Sequence, residues 1–194
     1  MKSTTIQSFF YDSLDSTMDE ARRLVTSGKI KEIGYISANE QTKGRGTHGR
    51  TWDSPQNAGI YLSVVHLPKQ KKYFPITNLY TPACGIACIE ALKEICNIDC
   101  FLKPVNDIYI QNKKLGGILV ESKLHKAGIS MLITGIGINT KKTNHTLDRK
   151  IIEPISLEEI LGEKEFKNFS NKKLIECIVN RICFWYSKIS LLLS

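Results

Sequence analysis

The chain has 194 residues, of which 42% are hydrophobic and 24% charged, and these values are typical of one globular domain with a sizeable core. No stretch approaches the roughly 20 apolar residues that span a bilayer, and the N-terminus carries Asp12 and Asp15 where a signal peptide has an apolar run. The sequence therefore predicts a single domain over residues 1–194, located in the cytoplasm and without a membrane partner. The net charge of +8 suggests an acidic partner or ligand, whereas scattered lysines and the lack of a helix-turn-helix or RNA-binding signature argue against nucleic acid.

The predicted elements begin with a helix that is capped by Ser16 or Thr17, carries Glu20 as the acidic residue of a capping box and ends before Gly28. Apolar residues at helical or strand spacing predict the other elements. The predicted helices are 17–25, 77–96, 157–161 and 171–193, and the predicted strands are 33–38, 59–67, 101–103, 107–111, 115–121 and 129–138. Asn112-Lys113 is the predicted hairpin connection between two strands. This order predicts an α/β (α+β) fold with a mixed β-sheet covered by helices.

The six cysteines do not form a pattern typical of a zinc site or a disulfide framework. Cys84 and Cys88 are four residues apart, as are Cys96 and Cys100, and no pair has the C-x-x-C spacing. Cys84, Cys88 and Cys96 lie among apolar residues of a predicted helix, where reduced cysteines pack like small hydrophobic side chains. The sequence therefore predicts reduced thiols and no tightly bound metal.

The segment 41–52 reads QTKGRGTHGRTW and is the most informative part of the chain. Its glycines allow the backbone to approach a ligand closely, and Arg45 and Arg50 supply charged donors that match carboxylate or phosphate oxygens. Such a loop suits an anionic nucleotide or an acyl phosphate. Its spacing does not fit a P-loop, and Pro55 with Gly59 continues the loop where a dinucleotide-binding fingerprint requires a helix.

A second group of polar residues follows in the segments 103–121 and 135–139. Asp107 and Lys114 are expected on neighbouring strands, and a cross-strand ion pair is the simplest structural explanation of that segment taken alone. Gly116-Gly117 favours a binding site instead, because paired glycines weaken an apolar strand unless something approaches it closely. The glycines of segment 135–139 strengthen this interpretation.

Five motifs in this order resemble the catalytic domain of biotin protein ligases. Asp15-Ser16-Thr17 is similar to the family's S-T-N segment, and the 41–52 loop is similar to its Q-x-x-G-R-G-R-x-G-R-x-W loop. Segments 103–107, 114–121 and 135–139 resemble its K-W-P-N-D, K-x-x-G-I-L-x-E and G-I-G-I-N motifs. The resemblance implies a fold related to lipoate ligases and class II aminoacyl-tRNA synthetases. It also implies ATP-dependent attachment of biotin, through biotinyl-5′-AMP, to one lysine of a biotin carboxyl carrier protein.

The resemblance implies three groups of site residues. Those implied in catalysis are Lys114, Asp107, Arg45 and Arg50. Those implied in biotin binding are Ser16, Thr17, Met18, Gln41, Gly44, Arg45, Gly46, Thr47, Lys114 and Gly117. Those implied on the ATP side are Arg50, Trp52, Asn106 and Asn139, and Mg²⁺ is expected to enter with ATP, without assigned protein ligands.

The implied chemistry divides these residues between two steps. Lys114 stabilises the biotin carboxylate and the phosphate together, while Arg45 and Arg50 close over the adenylate and exclude water. Asp107 orients the attacking lysine amine and helps its deprotonation, because the reference pKa of a lysine is near ~10.4.

Three positions depart from the family's motifs. Thr47 stands where the family has a third loop arginine, which predicts weaker retention of the adenylate. Met18 replaces an asparagine, and Pro104-Val105 replaces Trp-Pro and removes an aromatic side chain. The sequence also lacks the small β-barrel domain and the DNA-binding domain that other members carry, so we expect a monofunctional ligase. A surface strand could pair two protomers into a homodimer.

Two other hypotheses remain open from the sequence. The first is a ligase or transferase for lipoate or octanoate on the related fold. The second is a basic binding module for nucleic acid or an acidic protein, for which the individual charges would be interchangeable.

Overall fold

The computed structural model describes residues 6–68, 77–104, 106–125, 128–143 and 153–192. Within them, seven strands form one sheet in the order β1-β2-β3-β7-β6-β5-β4. The strands are β1 Gln7–Tyr11, β2 Ile33–Ala38, β3 Gly59–His66, β4 Phe101–Lys103, β5 Asp107–Ile110, β6 Lys113–His125 and β7 Gly128–Asn139. β1 and β2 are parallel and the other neighbouring strands are antiparallel. The predicted mixed sheet is therefore confirmed.

Helices cover both faces of this sheet, as predicted. The helices are α1 Thr17–Thr26, α2 Thr77–Cys96, α3 Leu157–Phe166 and α4 Asn171–Leu192. α1 packs on β2, β3 and β7, whereas α2 packs on α4 and on β4, β5 and β6. Leu193, the predicted last residue of α4, lies outside the described residues. None of the helices in the described part of the chain has the length and apolar character needed to cross a membrane.

The two faces of the central strands differ because successive side chains of a strand point to opposite faces. On β7, Leu132, Ile136 and Ile138 are buried in the larger hydrophobic core together with residues of α2 and α4. The alternating positions Gly135 and Gly137 lie on the opposite face, next to Met18 of α1 and to Trp52. This second face, which we call the glycine face, has room for a loop and a cavity.

The start of α1 differs from the predicted capping box. Ser16 is the N-cap, but no side chain caps the helix. The amide and the hydroxyl of Thr17 both donate to Gln41 Oε1, and Glu20 accepts a hydrogen bond from Tyr11 instead of reaching back to the cap. The capping box is wrong because a long-range polar contact replaces the local one.

Three further local features are missing from the predicted elements. β1 is a short edge strand whose parallel pairing with β2 fixes it in the sheet. The hairpin between β5 and β6 turns at Gln111-Asn112, one residue earlier than predicted, and Gln111 has a φ of 52°. Ser156 and Glu159 form a capping box at the start of α3.

The cysteines are free thiols, as predicted. Cys84 and Cys88 are buried in the larger core, whereas Cys96 is half-buried at the end of α2. Burial raises the pKa of Cys96 to about 11, and burial with the nearby charge of Asp99 raises the pKa of Cys100 to about 12. Both groups therefore stay protonated at neutral pH.

Candidate active site

The 41–52 loop folds back on itself beside the glycine face. The amide of Trp52 donates to the Gly44 carbonyl at 2.9 Å, and the amide of Gly46 donates to the Arg50 carbonyl at 2.8 Å. A Cβ at Gly44 would lie 2.3 Å from the Trp52 carbonyl oxygen, so only glycine fits at this crossing. A 3-10 turn at Thr47–Gly49 forms the tip of the loop.

A cavity of about 310 Å³ lies between this loop, the start of α1 and the glycine face. Its volume suits a small ligand. Every predicted site residue except Gly44 lines it, and Gly44 shapes the loop instead. The lining members of the prediction are Ser16, Thr17, Met18, Gln41, Arg45, Gly46, Thr47, Arg50, Trp52, Asn106, Asp107, Lys114, Gly117 and Asn139.

A chain of hydrogen bonds connects the loop to α1 and β3 at the cavity wall. Gln41 Oε1 accepts from the Thr17 amide at 2.8 Å and from the Thr17 hydroxyl at 3.0 Å. Gln41 Nε2 donates to Ser54 Oγ at 2.9 Å, and Ser63 Oγ donates to the Thr17 hydroxyl at 2.9 Å. Ser54 and Ser63 are absent from the prediction. Ser63 could have been predicted as a polar contact, because it is the single polar residue between the apolar Leu62 and Val64 of a buried strand. The network fixes the orientation of Thr17 and Gln41.

Trp52 packs against the glycine face. A Cβ at Gly137 would lie 2.3 Å from Trp52 Cε2, and a Cβ at Gly117 would lie 2.9 Å from Trp52 Cζ3. A Cβ at Gly116 would instead lie 2.6 Å from the Gly137 carbonyl oxygen. Gly116, Gly117 and Gly137 are therefore explained by the close approach of the indole ring and of the neighbouring backbone.

Lys114 and Asp107 form an ion pair inside the cavity. Lys114 Nζ lies 2.7 Å from Asp107 Oδ1, and each side chain is 20% exposed. The ammonium group also lies 5.4 Å from the centre of the Trp52 ring, within range of a cation–π contact. The predicted cross-strand ion pair is therefore present, and it lies in the lining of the cavity.

The backbone of Lys114 is held by the segment before α3. The Lys114 amide donates to the Glu153 carbonyl at 2.9 Å, and the Ile155 amide donates to the Lys114 carbonyl at 3.0 Å. Asn139 Nδ2 donates to the carbonyl of Ile155 at 3.2 Å and to that of Lys114 at 3.4 Å. The main chain around Lys114 is therefore anchored from two sides.

The two predicted asparagines line the cavity, and their side-chain amide nitrogens donate hydrogen bonds to backbone carbonyls. Asn106 Nδ2 donates to the Ile118 carbonyl at 3.0 Å, and Asn139 makes the contacts given above. Pro104, which with Val105 replaces the Trp-Pro of the family motif, is exposed and does not line the cavity. Val105 lies outside the described residues.

The two loop arginines have different surroundings. Arg45 Nη2 lies 3.3 Å from Asp19 Oδ1 and 3.5 Å from Glu121 Oε1. Arg50 donates to the carbonyl oxygen and to the hydroxyl of Thr47, both at 3.2 Å. Thr47 therefore orients Arg50, and the contact through the Thr47 hydroxyl is the one that an arginine at this position would lack.

Several polar groups of the cavity lining are buried without a hydrogen-bond partner among the described residues. They are Ser16 Oγ, Arg45 Nε, Arg45 Nη2 and Trp52 Nε1. Buried polar groups are nearly always hydrogen-bonded in folded proteins, since an unpaired one costs about 1–3 kcal/mol. Oriented donors of this kind suit a polar ligand with anionic oxygens.

The charges around the cavity point the same way. Its lining contains three basic side chains, Arg45, Arg50 and Lys114, and two carboxylates, Asp53 and Asp107. Outside the lining, hydrogen bonds from Arg23 and from the Ser16 amide lower the pKa of Asp15 to about 2. The described residues bring together no group of three or more His, Cys, Asp or Glu side chains able to hold a metal ion.

Comparisons with known sequences identify the family to which this chain is similar. A model of the biotin/lipoate A/B protein ligase family matches residues 10–139. The bifunctional ligase/repressor BirA of Bacillus subtilis is 30% identical over 159 residues, which cover 80% of this chain and 47% of that protein. The biotin–[acetyl-CoA-carboxylase] ligase of Paracoccus denitrificans is 32% identical over 127 residues, which cover 64% of this chain and 51% of that protein. The chain thus spans about half the length of these relatives.

Solved structures share the fold. A biotin protein ligase from Aquifex aeolicus in complex with biotin and ATP has a TM-score of 0.75 and 31% identity, and the match covers 94% of this chain and 71% of that one. A biotin protein ligase from Leishmania major in complex with biotinyl-5-AMP has a TM-score of 0.74 and 29% identity, and the match covers 91% of this chain and 73% of that one. The expected similarity to biotin protein ligases is therefore confirmed. The family match contains the 41–52 loop, Asp107 and Lys114, and the chain belongs to the biotin/lipoate A/B protein ligase family.

Proposed function

We propose that this protein is an ATP-dependent ligase that activates biotin as biotinyl-5′-AMP and transfers it to a lysine of a biotin carboxyl carrier protein. The carrying observation is the Lys114–Asp107 ion pair of 2.7 Å inside a cavity that the Arg45 and Arg50 loop borders. The relatives named above support the same activity, since their names describe biotin ligation. The described residues form its catalytic domain in this proposal.

In the first step an oxygen of the biotin carboxylate attacks the α-phosphorus of ATP. A bond forms between this oxygen and phosphorus, the bond to the bridging oxygen breaks, and pyrophosphate leaves with the electron pair. Lys114, Arg45 and Arg50 oppose the repulsion between the two anions and hold them in line. Mg²⁺ would enter on the phosphates of ATP, as Mg²⁺ commonly does in nucleotide sites.

In the second step the amine of the carrier lysine attacks the acyl carbon of biotinyl-5′-AMP. An amide bond forms, the bond from the acyl carbon to the phosphate oxygen breaks, and AMP leaves with its electron pair. The amine also loses a proton, and we assign Asp107 to orient the amine and accept that proton. Lys114 pairs with Asp107 in the described structure, so movement of Lys114 toward the adenylate would release Asp107 for this role.

Biotin fits the cavity wall better than lipoate or octanoate. The network of Gln41, Thr17 and Ser63 presents fixed donors and acceptors, and the hydroxyl of Ser16 has no partner among the described residues. The ureido ring of biotin carries two N–H donors and one carbonyl acceptor that can pair with the Ser16 hydroxyl and with the remaining donor and acceptor capacity of this wall, whereas an alkyl chain would leave the Ser16 hydroxyl unpaired at a cost in affinity. The polar wall is therefore assigned to the biotin ring, and Trp52 to the nucleotide side.

The test is ATP–pyrophosphate exchange by the purified protein with biotin, lipoate, octanoate or no added acid. We expect exchange that depends on biotin. Exchange with lipoate or octanoate in its place would keep the mechanism and overturn the substrate. Folded protein that catalyses no exchange with any of these acids would contradict the proposal and favour a basic binding module.

A further inference from the structure

Four charged side chains meet where the 41–52 loop contacts α1 and β6. They are Asp19 and Arg22 of α1, Arg45 of the loop and Glu121 of β6, and we call them the charge cluster. Each is about one-third exposed, at 34% or 35%. The cluster holds two guanidinium groups and two carboxylates, so its formal charges cancel.

The two arginines do not share the carboxylates equally. Arg22 donates hydrogen bonds to Asp19 and to Glu121, one from each terminal nitrogen. Arg45 lies near the same carboxylates, with Nη2 at 3.3 Å from Asp19 and 3.5 Å from Glu121. However, its Nε and Nη2 atoms are buried and make no hydrogen bond among the described residues.

Arg22 and Arg45 therefore compete for the same acceptors. Burial and the nearby charge of Arg45 lower the pKa of Arg22. Arg22 does not line the cavity, whereas Arg45 does. A guanidinium that lies near carboxylates without forming hydrogen bonds to them can still donate hydrogen bonds to another anion.

We propose that Arg22 is a positioning residue that occupies Asp19 and Glu121 and so leaves the Arg45 donors available to an anionic group in the cavity. The inference rests on the proposed function, in which that group is a phosphate of ATP in the first step or the carboxylate or phosphate of the acyl-adenylate that follows, and pyrophosphate is the probe for the ATP phosphates. Without Arg22, both carboxylates turn to Arg45 and form charge-assisted hydrogen bonds with it. Arg45 is then neutralised within the protein and lost to the ligand.

A purely structural ion-pair network leads to a different mutational pattern. Exposed ion pairs contribute little to stability, and any coupling between residues in contact appears in the free energy of unfolding, while anion binding by the cavity stays unchanged in every variant. In our proposal, removing Arg22 alone is harmful, and removing the two carboxylates as well restores Arg45. Coupling in anion binding therefore separates the two explanations.

The experiment measures binding of inorganic pyrophosphate by calorimetry to the full-length protein and to Arg22→Gln, Arg22→Lys and the triple variant Arg22→Gln/Asp19→Asn/Glu121→Gln. We expect Arg22→Gln to weaken binding about tenfold, which corresponds to about 1.4 kcal/mol and to the loss of a charged hydrogen bond. The triple variant should bind within about threefold of the wild type, and Arg22→Lys should fall between them. Thermal unfolding of each variant verifies the fold.

Arg181→Gln is the matched control, because Arg181 of α4 pairs with Glu90 and Glu94 and is absent from the cavity lining. It should bind pyrophosphate like the wild type. A triple variant that binds no better than Arg22→Gln would overturn the inference, as would a wild type that does not bind pyrophosphate. Biotin-dependent exchange by the wild type is measured separately, so its failure would count against the proposed function while the pyrophosphate series still tests Arg22.

Discussion

The two faces of the central sheet use the same strands for opposite purposes. On the face toward α2 and α4, β7 contributes Leu132, Ile136 and Ile138, which are at most 4% exposed. On the glycine face, β7 contributes Gly135 and Gly137, which leave space for Met18 and Trp52. One face excludes water by filling its volume with aliphatic side chains, and the other keeps a cavity.

Arginines on the two sides of the sheet also differ in how completely they are paired with carboxylates. Arg181 on α4 donates to Glu94 at 2.7 Å and lies 3.6 Å from Glu90, so two carboxylates serve one cation. Near the cavity two cations share two carboxylates, and Arg45 keeps donors without partners among the described residues. Full pairing leaves no donor for a ligand, whereas incomplete pairing leaves the Arg45 donors available to one. Changes on the two faces should therefore affect different properties.

The largest effect is expected from Lys114→Ala. The change removes the ammonium that opposes negative charge in the first step, so biotin-dependent ATP–pyrophosphate exchange should fall by about 100- to 1,000-fold. The thermal unfolding midpoint should change little. Lys113→Ala is the control, since Lys113 is the next residue and pairs with the exposed Glu153 at 2.6 Å. Equal losses in the two variants would contradict the assigned role of Lys114.

Asp107→Asn should separate the two steps. Adenylate formation is expected to persist, because the change leaves Lys114 in the cavity, while transfer to a carrier domain should fall about 100-fold for lack of a proton acceptor. Single-turnover formation of biotinyl-5′-AMP and its transfer to the carrier can be measured in one experiment. Equal loss of both steps would refute the proposed role of Asp107.

Gly137→Ala and Gly85→Ala test the two faces directly. A Cβ at Gly137 meets Trp52 Cε2 at 2.3 Å and displaces the ring, so the KM for ATP in the exchange reaction should rise about tenfold, by about 1.4 kcal/mol. A Cβ at Gly85 meets Leu102 Cδ1 at 2.6 Å on the opposite side of the sheet. That overpacking costs about 1–3 kcal/mol, and the higher helix propensity of alanine in α2 offsets about 1 kcal/mol of it, so the free energy of unfolding should fall by about 1–2 kcal/mol at most with an unchanged KM. The same KM change in both variants would contradict the assignment of ATP binding to the glycine face.

The smallest effect is expected from Tyr186→Phe. The hydroxyls of Tyr186 and Thr134 lie 2.7 Å apart in the larger core, and the change removes this buried hydrogen bond. The free energy of unfolding should fall by about 1 kcal/mol without a change in exchange activity. Chemical denaturation of Tyr186→Phe, Thr134→Val and the double variant measures the coupling. No coupling between the two positions would show that the hydrogen bond contributes nothing.

Local patterns predicted the regular elements apart from β1, and the resemblance to the motifs of biotin protein ligases predicted the lining of the cavity. α2 was predicted with its observed bounds because apolar residues recur at helical spacing from Thr77 to Cys96. The lining could be predicted because its residues lie in a few contiguous motifs, such as the 41–52 loop, which a resemblance to known motifs can identify. The glycine pair Gly116-Gly117 in an apolar strand indicated that another group lies close to that strand.

Contacts between distant residues could not be predicted in the same way. The capping box at Thr17 failed because Gln41, 24 residues away, takes the Thr17 hydroxyl and amide. The Arg22–Glu121 contact joins residues 99 positions apart, and nothing in either local sequence indicates it. The hairpin was displaced by one residue because Gln111 adopts a φ of 52°, a conformation that glycine or asparagine usually signals.

The anchored backbone of Lys114 has a consequence for the entropy of the proposed reaction. Its amide and carbonyl are bound by Glu153, Ile155 and Asn139, so the Cα stays in place whichever group the ammonium contacts. Only the side-chain torsions change when Nζ leaves Asp107 for a phosphate. A free lysine side chain carries about 2 kcal/mol of rotamer entropy, and the backbone ordering of about 1–2 kcal/mol per residue is completed during folding. In the proposed mechanism, Lys114 can therefore contact different groups in the two steps by changing its side-chain torsions alone.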